Sequence, residues 1–129
     1  MSTTAGPTVT GPSFVALQVR DLDAAASFYE SHLGLRRAAA SPPGAVVFDT
    51  APIAFAVREP LPGVDLDAAS PRPGLGVALW LHADDAPGLH ERLVDGGVTV
   101  VAPLADGPFG PMFTFLDVDG YAVTIHGDR

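Results

Sequence analysis

The chain has 129 residues, 47% of them hydrophobic, and a mean hydropathy of +0.28, which suits one compact domain or two small fused modules around a real core. Its formal net charge of −8 argues against nucleic-acid binding, which needs clustered positive charge, and its lack of cysteine excludes disulfides and thiolate metal sites. Neither a signal peptide nor an apolar run of the roughly 18 residues that span a bilayer is present, so we expect a cytoplasmic protein.

The first part of the chain predicts a β-α-β-β-β module over residues 13–58, behind a disordered tail at 1–12. A helix begins at Asp21-Leu22-Asp23, where acidic side chains favour its positive end, and ends at Gly34, which suits a left-handed turn. The apolar residues between these points recur at spacings of three and four. Alternating apolar residues predict strands at Phe14–Arg20, Leu35–Ala40, Ala45–Phe48 and Ile53–Arg58.

The second part predicts the same order of elements over residues 74–129, after a linker at 59–73 that is rich in proline, glycine and aspartate. Its helix is capped by Asp84 or Asp85 and ends at Gly96-Gly97. Its strands are predicted at Gly76–His82, Val98–Ala102, Met112–Leu116 and Tyr121–His126.

A pattern of an acid, a short turn and an alternating strand occurs twice, from Asp49 and again from Asp117. This duplication predicts two matching sheets, each with one face against its helix and one open face. Alternation assigns to the open faces Phe14, Ala16, Gln18, Val46, Phe48, Ala54, Ala56 and Arg58 in the first module, and Gly76, Ala78, Trp80, His82, Met112, Thr114, Leu116, Ala122, Thr124 and His126 in the second. An apolar face with few polar groups and several rings is typical of a small-molecule pocket.

The candidate ligand-binding residues come from these faces and from a mobile loop, Gly107–Gly110, at the mouth of the cavity. They are Phe14, Gln18, Phe48, Arg58, Trp80, His82, Phe109, Met112, Thr114, Thr124 and His126. Trp80 either stacks on a planar ligand or fills the core. His82 and His126 either hold a metal or act as a general base, or they make ordinary hydrogen bonds near the strand ends. The two histidines expected to be exposed on helices are His32 and His90.

The polar candidates have structural alternatives. Arg58 is expected to pair with a ligand carboxylate or phenolate, to stack on an aromatic ring, or to form a salt bridge with Glu59 or Asp49. Gln18 is expected to hydrogen-bond to a ligand. No residue is assigned a catalytic role, and the chain has neither a phosphate-binding glycine loop nor a nucleophile elbow. Capping of a helix start and a turn explains three further carboxylates, Asp21, Asp117 and Asp119.

Four stretches of the sequence carry a family resemblance. Val19–Tyr29, followed by His32–Leu35, is similar to the first-module signature of the vicinal oxygen chelate superfamily, which includes glyoxalase I, extradiol dioxygenases and the bleomycin-resistance proteins. Gly107–Gly110 and Asp117–Tyr121 are similar to its second-module ending, although Val118 stands where the usual motif has proline. The resemblance implies an α+β fold of two tandem β-α-β-β-β modules whose curled mixed sheets surround a cavity, in a homodimer with paired or exchanged modules.

The resemblance also implies where metal-dependent members hold their ion. Carried onto this chain, the four ligand positions fall at Phe14, at Ala56, at Gly76 (or Ala78 with a different gap) and at Thr124. A divalent ion needs imidazole or carboxylate donors, which none of these residues supplies. We therefore expect neither a metal nor another cofactor.

These observations predict a metal-free protein that binds and sequesters a largely apolar or aromatic antibiotic or natural product, and so confers resistance without modifying it. A planar, quinone-containing compound fits better than bleomycin, and the other expected partner is a second copy of the chain. Solubility explains the acidity; if the charge also steers a ligand, that ligand is neutral or cationic. The alternatives are a lyase, isomerase or dioxygenase that uses an atypical metal site or His82 or His126 as acid or base, and an interaction module without a ligand.

Overall fold

The computed structural model describes residues 6–129, so the predicted tail at 1–12 lies partly outside the described residues; its described part is exposed and has no regular structure. The described chain contains two α-helices and seven strands, together with a short 3-10 helix at Leu66–Ala68 in the linker. The elements are β1 (Phe14–Gln18), α1 (Leu22–Leu33), β2 (Ala45–Phe48), β3 (Ala54–Arg58), β4 (Leu79–His82), α2 (Ala86–Asp95), β5 (Val100–Gly107), β6 (Gly110–Leu116) and β7 (Ala122–His126). The predicted α+β class is confirmed.

The strands form two sheets, ordered β1-β3-β2 and β4-β7-β6-β5. In each sheet the first strand of the module pairs in parallel with the last. The Val19 N–H donates to the Arg58 carbonyl and the Ala83 N–H donates to the His126 carbonyl, each at 2.9 Å. The two modules therefore repeat the same register down to single hydrogen bonds.

The strand predicted at Leu35–Ala40 is wrong. The segment makes one isolated bridge, between Arg37 and Phe48, through hydrogen bonds from the Ala38 N–H to the Val47 carbonyl at 2.8 Å and from the Asp49 N–H to the Arg36 carbonyl at 2.9 Å. Three successive alanines offer no branched side chain that favours a strand, and a pair of prolines follows shortly after them. The chain therefore runs beside β2 without forming a regular ladder.

Strand β4 is shorter than predicted, because Gly74 and Gly76 have positive φ angles of 75° and 96°, which interrupt an extended conformation. Strand β5 is longer than predicted and continues to Gly107, with register irregularities on the way. Both helices begin as predicted. Asp21 accepts a hydrogen bond from the Ala24 N–H, and Asp85 accepts one from the Gly88 N–H.

Each helix packs on one face of its own sheet, and the opposite face is the open face. The first core cluster contains Tyr29, Phe48 and Phe55, and the second contains Leu93, Phe113, Phe115 and Ile125. The side chains that touch both clusters are Phe28, Leu33 and Leu79. The helix sides of the two modules are thus packed together, and burial of this shared apolar surface stabilises the arrangement.

The helical histidines are half-buried rather than exposed as predicted. The His32 ring lies 4.8 Å from the ring of Phe28, and the His90 ring lies edge-on, 5.0 Å from Phe113. Each imidazole thus packs against an aromatic side chain of the core. The helical periodicity alone did not reveal these contacts.

The aspartates explained by capping do bind backbone groups. Asp117 Oδ1 accepts hydrogen bonds from the Asp119 and Tyr121 N–H groups, which closes the turn before β7. Asp119 Oδ1 accepts from the Arg20 backbone and guanidinium, at 2.9 and 3.1 Å. These carboxylates are buried in polar contacts that hold the turn and the two modules together.

Candidate functional site

Each sheet has an open face that is turned away from the helices. The predicted alternation is correct for β1, β3, β4, β6 and β7, whose other side chains enter the two core clusters. On the second sheet, Trp80 pairs with Thr124, and His82 pairs with His126. Thr114 and Met112 lie beside Thr124 and His126 on the neighbouring strand. Six predicted site residues thus share one surface.

The assignment of Phe48 and Val46 to the open face is wrong. Val46 pairs with Val57 and Phe48 pairs with Phe55, and partners in a sheet point to the same side. Phe48 is fully buried, with its ring 6.3 Å from that of Tyr29. An antiparallel register that differs by one residue from the predicted one inverts the strand. Val47, which pairs with Ala56, occupies the open face instead.

Four rings meet on the open face of the second sheet, and we term Trp80, His82, Phe109 and His126 the ring cluster. The Phe109 ring stands edge-on to Trp80 with 5.9 Å between centroids, and lies 5.3 Å from His126. His126 in turn lies 6.1 Å from Trp80 and 5.4 Å from His82. Trp80 is 38% exposed and Phe109 is 58% exposed, so this surface is accessible in the single chain.

The two histidines of the cluster have different hydrogen bonds. His82 Nε2 lies 2.9 Å from Oδ2 of Asp128, while His126 Nδ1 lies 3.2 Å from the carbonyl oxygen of Gly127. A carbonyl oxygen only accepts, so this contact places a proton on Nδ1 of His126. Nε2 of His126 makes no hydrogen bond to the described residues and is available to a ligand.

Phe109 lies in a tight hairpin turn, within the segment predicted to be a mobile loop. Gly107 pairs with Gly110, which leaves Pro108 and Phe109 as the two turn residues between β5 and β6. Met112 lies against this turn, and a Cβ atom at Gly107 would collide with its sulfur. Glycine at this position therefore leaves room for the Met112 side chain beside the turn.

A hydroxyl pair lies next to the rings. Thr114 Oγ1 and Thr124 Oγ1 are 2.7 Å apart, and both side chains are half-buried. One hydroxyl donates to the other, so the second O–H remains available to an acceptor. The pair adds a polar point to an otherwise apolar floor.

A cavity of about 640 Å³ opens beside the ring cluster. Trp80, His82 and His126 line it from the second module, and Val15, Leu35 and residues 50–55 line it from the first. Its volume is within the range of roughly 300–1,000 Å³ found for small-molecule sites. A second groove of about 740 Å³ shares Leu35, Leu81 and His82 with it and continues between the end of α1 and the start of α2.

The candidates on the first sheet are less free to bind a ligand. Gln18 Oε1 accepts a hydrogen bond of 2.7 Å from the Leu61 N–H, so this side chain fastens the linker. Arg58 Nε donates to the backbone carbonyl of Glu59 at 3.0 Å, not to a carboxylate of Glu59 or Asp49. Phe14 is 63% exposed and offers bare apolar surface.

The residues at the implied metal positions do not fit a divalent ion. The matching hydrogen bonds of Val19 and Ala83 align Phe14 with Ala78, which selects Ala78 over Gly76 for the third position. Phe14, Ala56, Ala78 and Thr124 supply one hydroxyl and no imidazole or carboxylate. Among residues 6–129, no three His, Cys, Asp or Glu side chains come together in a way that could hold a metal.

Sequence reasoning missed two residues beside the site, Asp128 and Arg129. They follow the last strand, where neither periodicity nor a motif marks them. Asp128 contacts His82, and the Arg129 guanidinium donates to the carbonyls of Gly107 and Pro108 at 3.0 and 3.3 Å.

Neither helix in the described part of the chain combines the length and apolar character needed to cross a membrane.

Comparison with known proteins identifies relatives of this fold. The model of the glyoxalase/bleomycin resistance protein/dioxygenase superfamily matches residues 11–125. No curated protein sequence matches the chain. The solved structures that resemble it include TnmS3, an antibiotic-binding protein from Streptomyces sp. CB03234, with a TM-score of 0.73 and 20% identity over 96% of this chain and 100% of that one.

Enzymes have the same fold. A lactoylglutathione lyase from Agrobacterium tumefaciens matches with a TM-score of 0.66 and 22% identity, over 94% of this chain and 96% of the lyase. A glyoxalase/dioxygenase from Nostoc punctiforme matches with a TM-score of 0.72 and 19% identity, over 97% and 99% of the two chains. At these identities the likeness shows a shared fold, and the choice between binding and catalysis depends on the site.

Proposed function

The chain belongs to the glyoxalase/bleomycin resistance protein/dioxygenase superfamily, and within it we propose a metal-free, cytoplasmic binding protein that sequesters a small, planar, largely apolar antibiotic or natural product without altering it. The observation that carries the proposal is the ring cluster, in which Trp80 lies on an open sheet face with Phe109 and His126 beside it. Aromatic faces give a planar ligand a large contact area and favourable ring–ring geometry. The antibiotic-binding protein TnmS3 shows that this fold is compatible with such a role.

The donor chemistry of the site also supports binding over metal-assisted catalysis. Enzymes of this type need several imidazole or carboxylate ligands around one ion. Phe14, Ala56, Ala78 and Thr124 occupy the corresponding positions, and three of these four side chains are hydrocarbon. Hydrocarbon side chains in place of metal ligands also make the open faces more apolar, which favours an uncharged aromatic ligand.

We propose that the working form is a homodimer in which the first sheet of one copy covers the second sheet of the other. The open faces leave large apolar side chains in water, with Phe14 63%, Phe109 58% and Trp80 38% exposed. Exposed apolar surface of this kind is typical of interfaces and binding grooves. In this arrangement the ligand lies between Trp80 of one copy and the Phe14 face of the other.

The sole tryptophan provides the direct test, because Trp80 is both the proposed contact and the fluorophore. Purified protein is titrated with a panel of neutral and cationic planar antibiotics, quinones among them. We expect saturable quenching by at least one compound, and recovery of that compound unchanged after extraction. Absence of saturable quenching across the panel, or chemical conversion of a bound compound, would contradict sequestration.

A second candidate function is acid–base catalysis by the histidine pair. The observation in its favour is the contact between His82 and Asp128, since a carboxylate can orient an imidazole and hold its proton. Nε2 of His126, whose ring lies 5.4 Å from that of His82, would then take or give the substrate proton. Product formation that is lost in His126→Gln but retained in Trp80→Phe would favour this function over sequestration.

A further inference from the structure

The last three residues of the chain continue from β7 beside the start of β6. The Gly127 N–H donates to the Pro111 carbonyl at 2.8 Å, which lays the tail along the start of β6. The Asp128 backbone then passes so close to Gly110 that a Cβ there would lie 2.7 Å from the Asp128 carbonyl carbon. Gly110 also has a φ of 130°, so both the close approach and the backbone conformation require glycine here.

The tail holds the hairpin that carries Phe109. Arg129 Nη2 donates to the Gly107 carbonyl at 3.0 Å, and Arg129 Nε donates to the Pro108 carbonyl at 3.3 Å. These are the two residues directly before Phe109 in the chain. One guanidinium with its fixed geometry thus fastens the turn at two successive carbonyls.

The same tail reaches the other side of the ring cluster. Asp128 Oδ2 lies 2.9 Å from Nε2 of His82, which ends the edge strand β4. Two adjacent residues therefore tie the hairpin tip to the edge strand, and the Phe109 ring at that tip lies against Trp80 and His126. Phe109 itself is 58% exposed, so packing alone fixes its ring weakly.

We propose that Arg129 and Asp128 are positioning residues that hold Phe109 over Trp80 and so form one wall of the ligand site. The proposal rests on the proposed function only in calling Phe109 a wall for a ligand; the positioning itself is a property of the free protein. When the tail is released, the hairpin tip moves away from the sheet and uncovers the indole.

Acrylamide quenching of Trp80 fluorescence tests the positioning without any ligand. Phe109→Ala defines the fully uncovered state, in which we expect the Stern–Volmer constant to rise at least about twofold, because the partly exposed indole loses the ring that packs against it. Arg129→Ala should raise it toward the same value. Asp128→Ala should raise it less, and Arg129→Lys, which still donates to one carbonyl, should lie near wild type.

Two features separate positioning from a general loss of structure. In the double variant Phe109→Ala/Arg129→Ala, the constant should equal that of Phe109→Ala alone, because Arg129 is proposed to act through Phe109. Arg36→Ala removes an exposed arginine whose side chain makes no hydrogen bond to the described residues, and it should leave quenching at the wild-type value. The thermal unfolding midpoint of each variant is measured, and quenching is compared among variants whose midpoints match that of the wild type.

The proposal is overturned if Arg129→Ala quenches like wild type, if the double variant adds a further increase, or if Phe109→Ala itself leaves quenching unchanged. None of these outcomes depends on whether a ligand is found. Failure of the antibiotic titration with normal positioning would therefore count against the proposed function alone, and the reverse result would count against the positioning role alone.

Discussion

The Tyr29 hydroxyl donates a hydrogen bond of 2.6 Å to Oδ2 of Asp117, which joins helix α1 of the first module to the last turn of the second. Both side chains are buried. Burial raises the pKa of the Asp117 carboxyl above its ordinary value, although hydrogen bonds from Tyr29 and from two backbone N–H groups oppose this effect. The modules are therefore held together by a buried polar contact as well as by their shared apolar core.

Removing this hydroxyl should destabilise the protein. We expect Tyr29→Phe to lower the free energy of unfolding by about 1.5–3 kcal/mol near neutral pH, since a buried carboxylate loses a donor. Urea unfolding followed by circular dichroism measures the change. Tyr121→Phe is the matched control, because the Tyr121 hydroxyl donates to the neutral backbone carbonyl of Gln18 at 2.7 Å. Its cost should be smaller, about 0.5–1.5 kcal/mol; the opposite ranking would contradict the assignment.

The same tyrosine predicts a pH dependence. Burial first, and then the Asp117 charge, raise the pKa of Tyr29 well above its usual value, so the folded chain keeps a proton that the unfolded chain releases above about pH 10. Wild-type stability is therefore lost as the pH rises through this range, and Tyr29→Phe lacks this loss. The stability gap between the two proteins should narrow above about pH 10. A gap that stays constant or widens would contradict the raised pKa.

The sequence predicted the modules well because their signals are local. Asp21, Asp85 and Gly34 mark helix ends through their own side chains or backbone freedom, and strict alternation marks β1, β3 and β7. The strand at Leu35–Ala40 failed because a strand needs a partner over several residues, and pairing here stops after a single bridge at Arg37. Sequence alternation does not report how far a ladder continues.

The candidate site was predicted in part. Trp80, Thr124 and His126 share one surface as expected, because one strand register fixes all of them. Phe48 was assigned to the wrong side because register between antiparallel strands depends on the turn that joins them, which the alternation of β2 does not contain. Asp128 and Arg129 were missed because their contacts are made with β4 and with the hairpin, far away in the chain.

The contrast between Trp80 and Phe48 tests this correction. For a compound that quenches wild-type fluorescence, we expect Trp80→Ala to raise the Kd at least about tenfold, equivalent to about 1.4 kcal/mol, through loss of the flat contact surface. Phe48→Leu should lower stability by on the order of 1 kcal/mol or more through imperfect core packing, and leave the Kd within about twofold. Isothermal titration calorimetry measures the Kd of both variants, since it does not need the indole. A higher Kd for a fully folded Phe48→Leu variant would contradict the correction and show that Phe48 contributes to the site.

The proposed dimer predicts the mass of the protein in solution. Light scattering coupled to size exclusion should give twice the chain mass of 13.3 kDa. Phe14→Asp places a charge on the open face and should shift the protein toward monomer, because burying an unpaired carboxylate at an interface is costly. Val9→Asp is the matched control, since Val9 is 89% exposed in the segment before β1 and should not affect assembly. A monomeric wild type, or equal effects of the two variants, would reject the interface.

The residues at the implied metal positions predict that divalent ions do not stabilise the folded protein. A metal bound at about 100 times its Kd would stabilise the folded state by about 2.7 kcal/mol and raise the unfolding midpoint by several degrees. We expect Zn²⁺, Mn²⁺ and Ni²⁺ to shift the midpoint by less than about 1 °C, because Phe14, Ala56, Ala78 and Thr124 offer no adequate donor set. A clear shift that disappears in His82→Ala/His126→Ala would reveal a site at the histidines and favour an enzyme.

The hydroxyl pair of Thr114 and Thr124 makes a prediction about non-additivity. Their Oγ1 atoms are 2.7 Å apart and half-buried, so each single valine variant leaves one hydroxyl without its partner. We expect Thr114→Val and Thr124→Val each to cost about 1 kcal/mol, whereas the double variant should cost less than their sum, because removing both groups leaves no unsatisfied hydroxyl. Urea unfolding of the four proteins completes the cycle, and additive costs would show that the two hydroxyls act independently. If the free O–H of the pair also donates to a ligand oxygen, the single variants will raise the Kd for quinones more than for planar hydrocarbons of equal size.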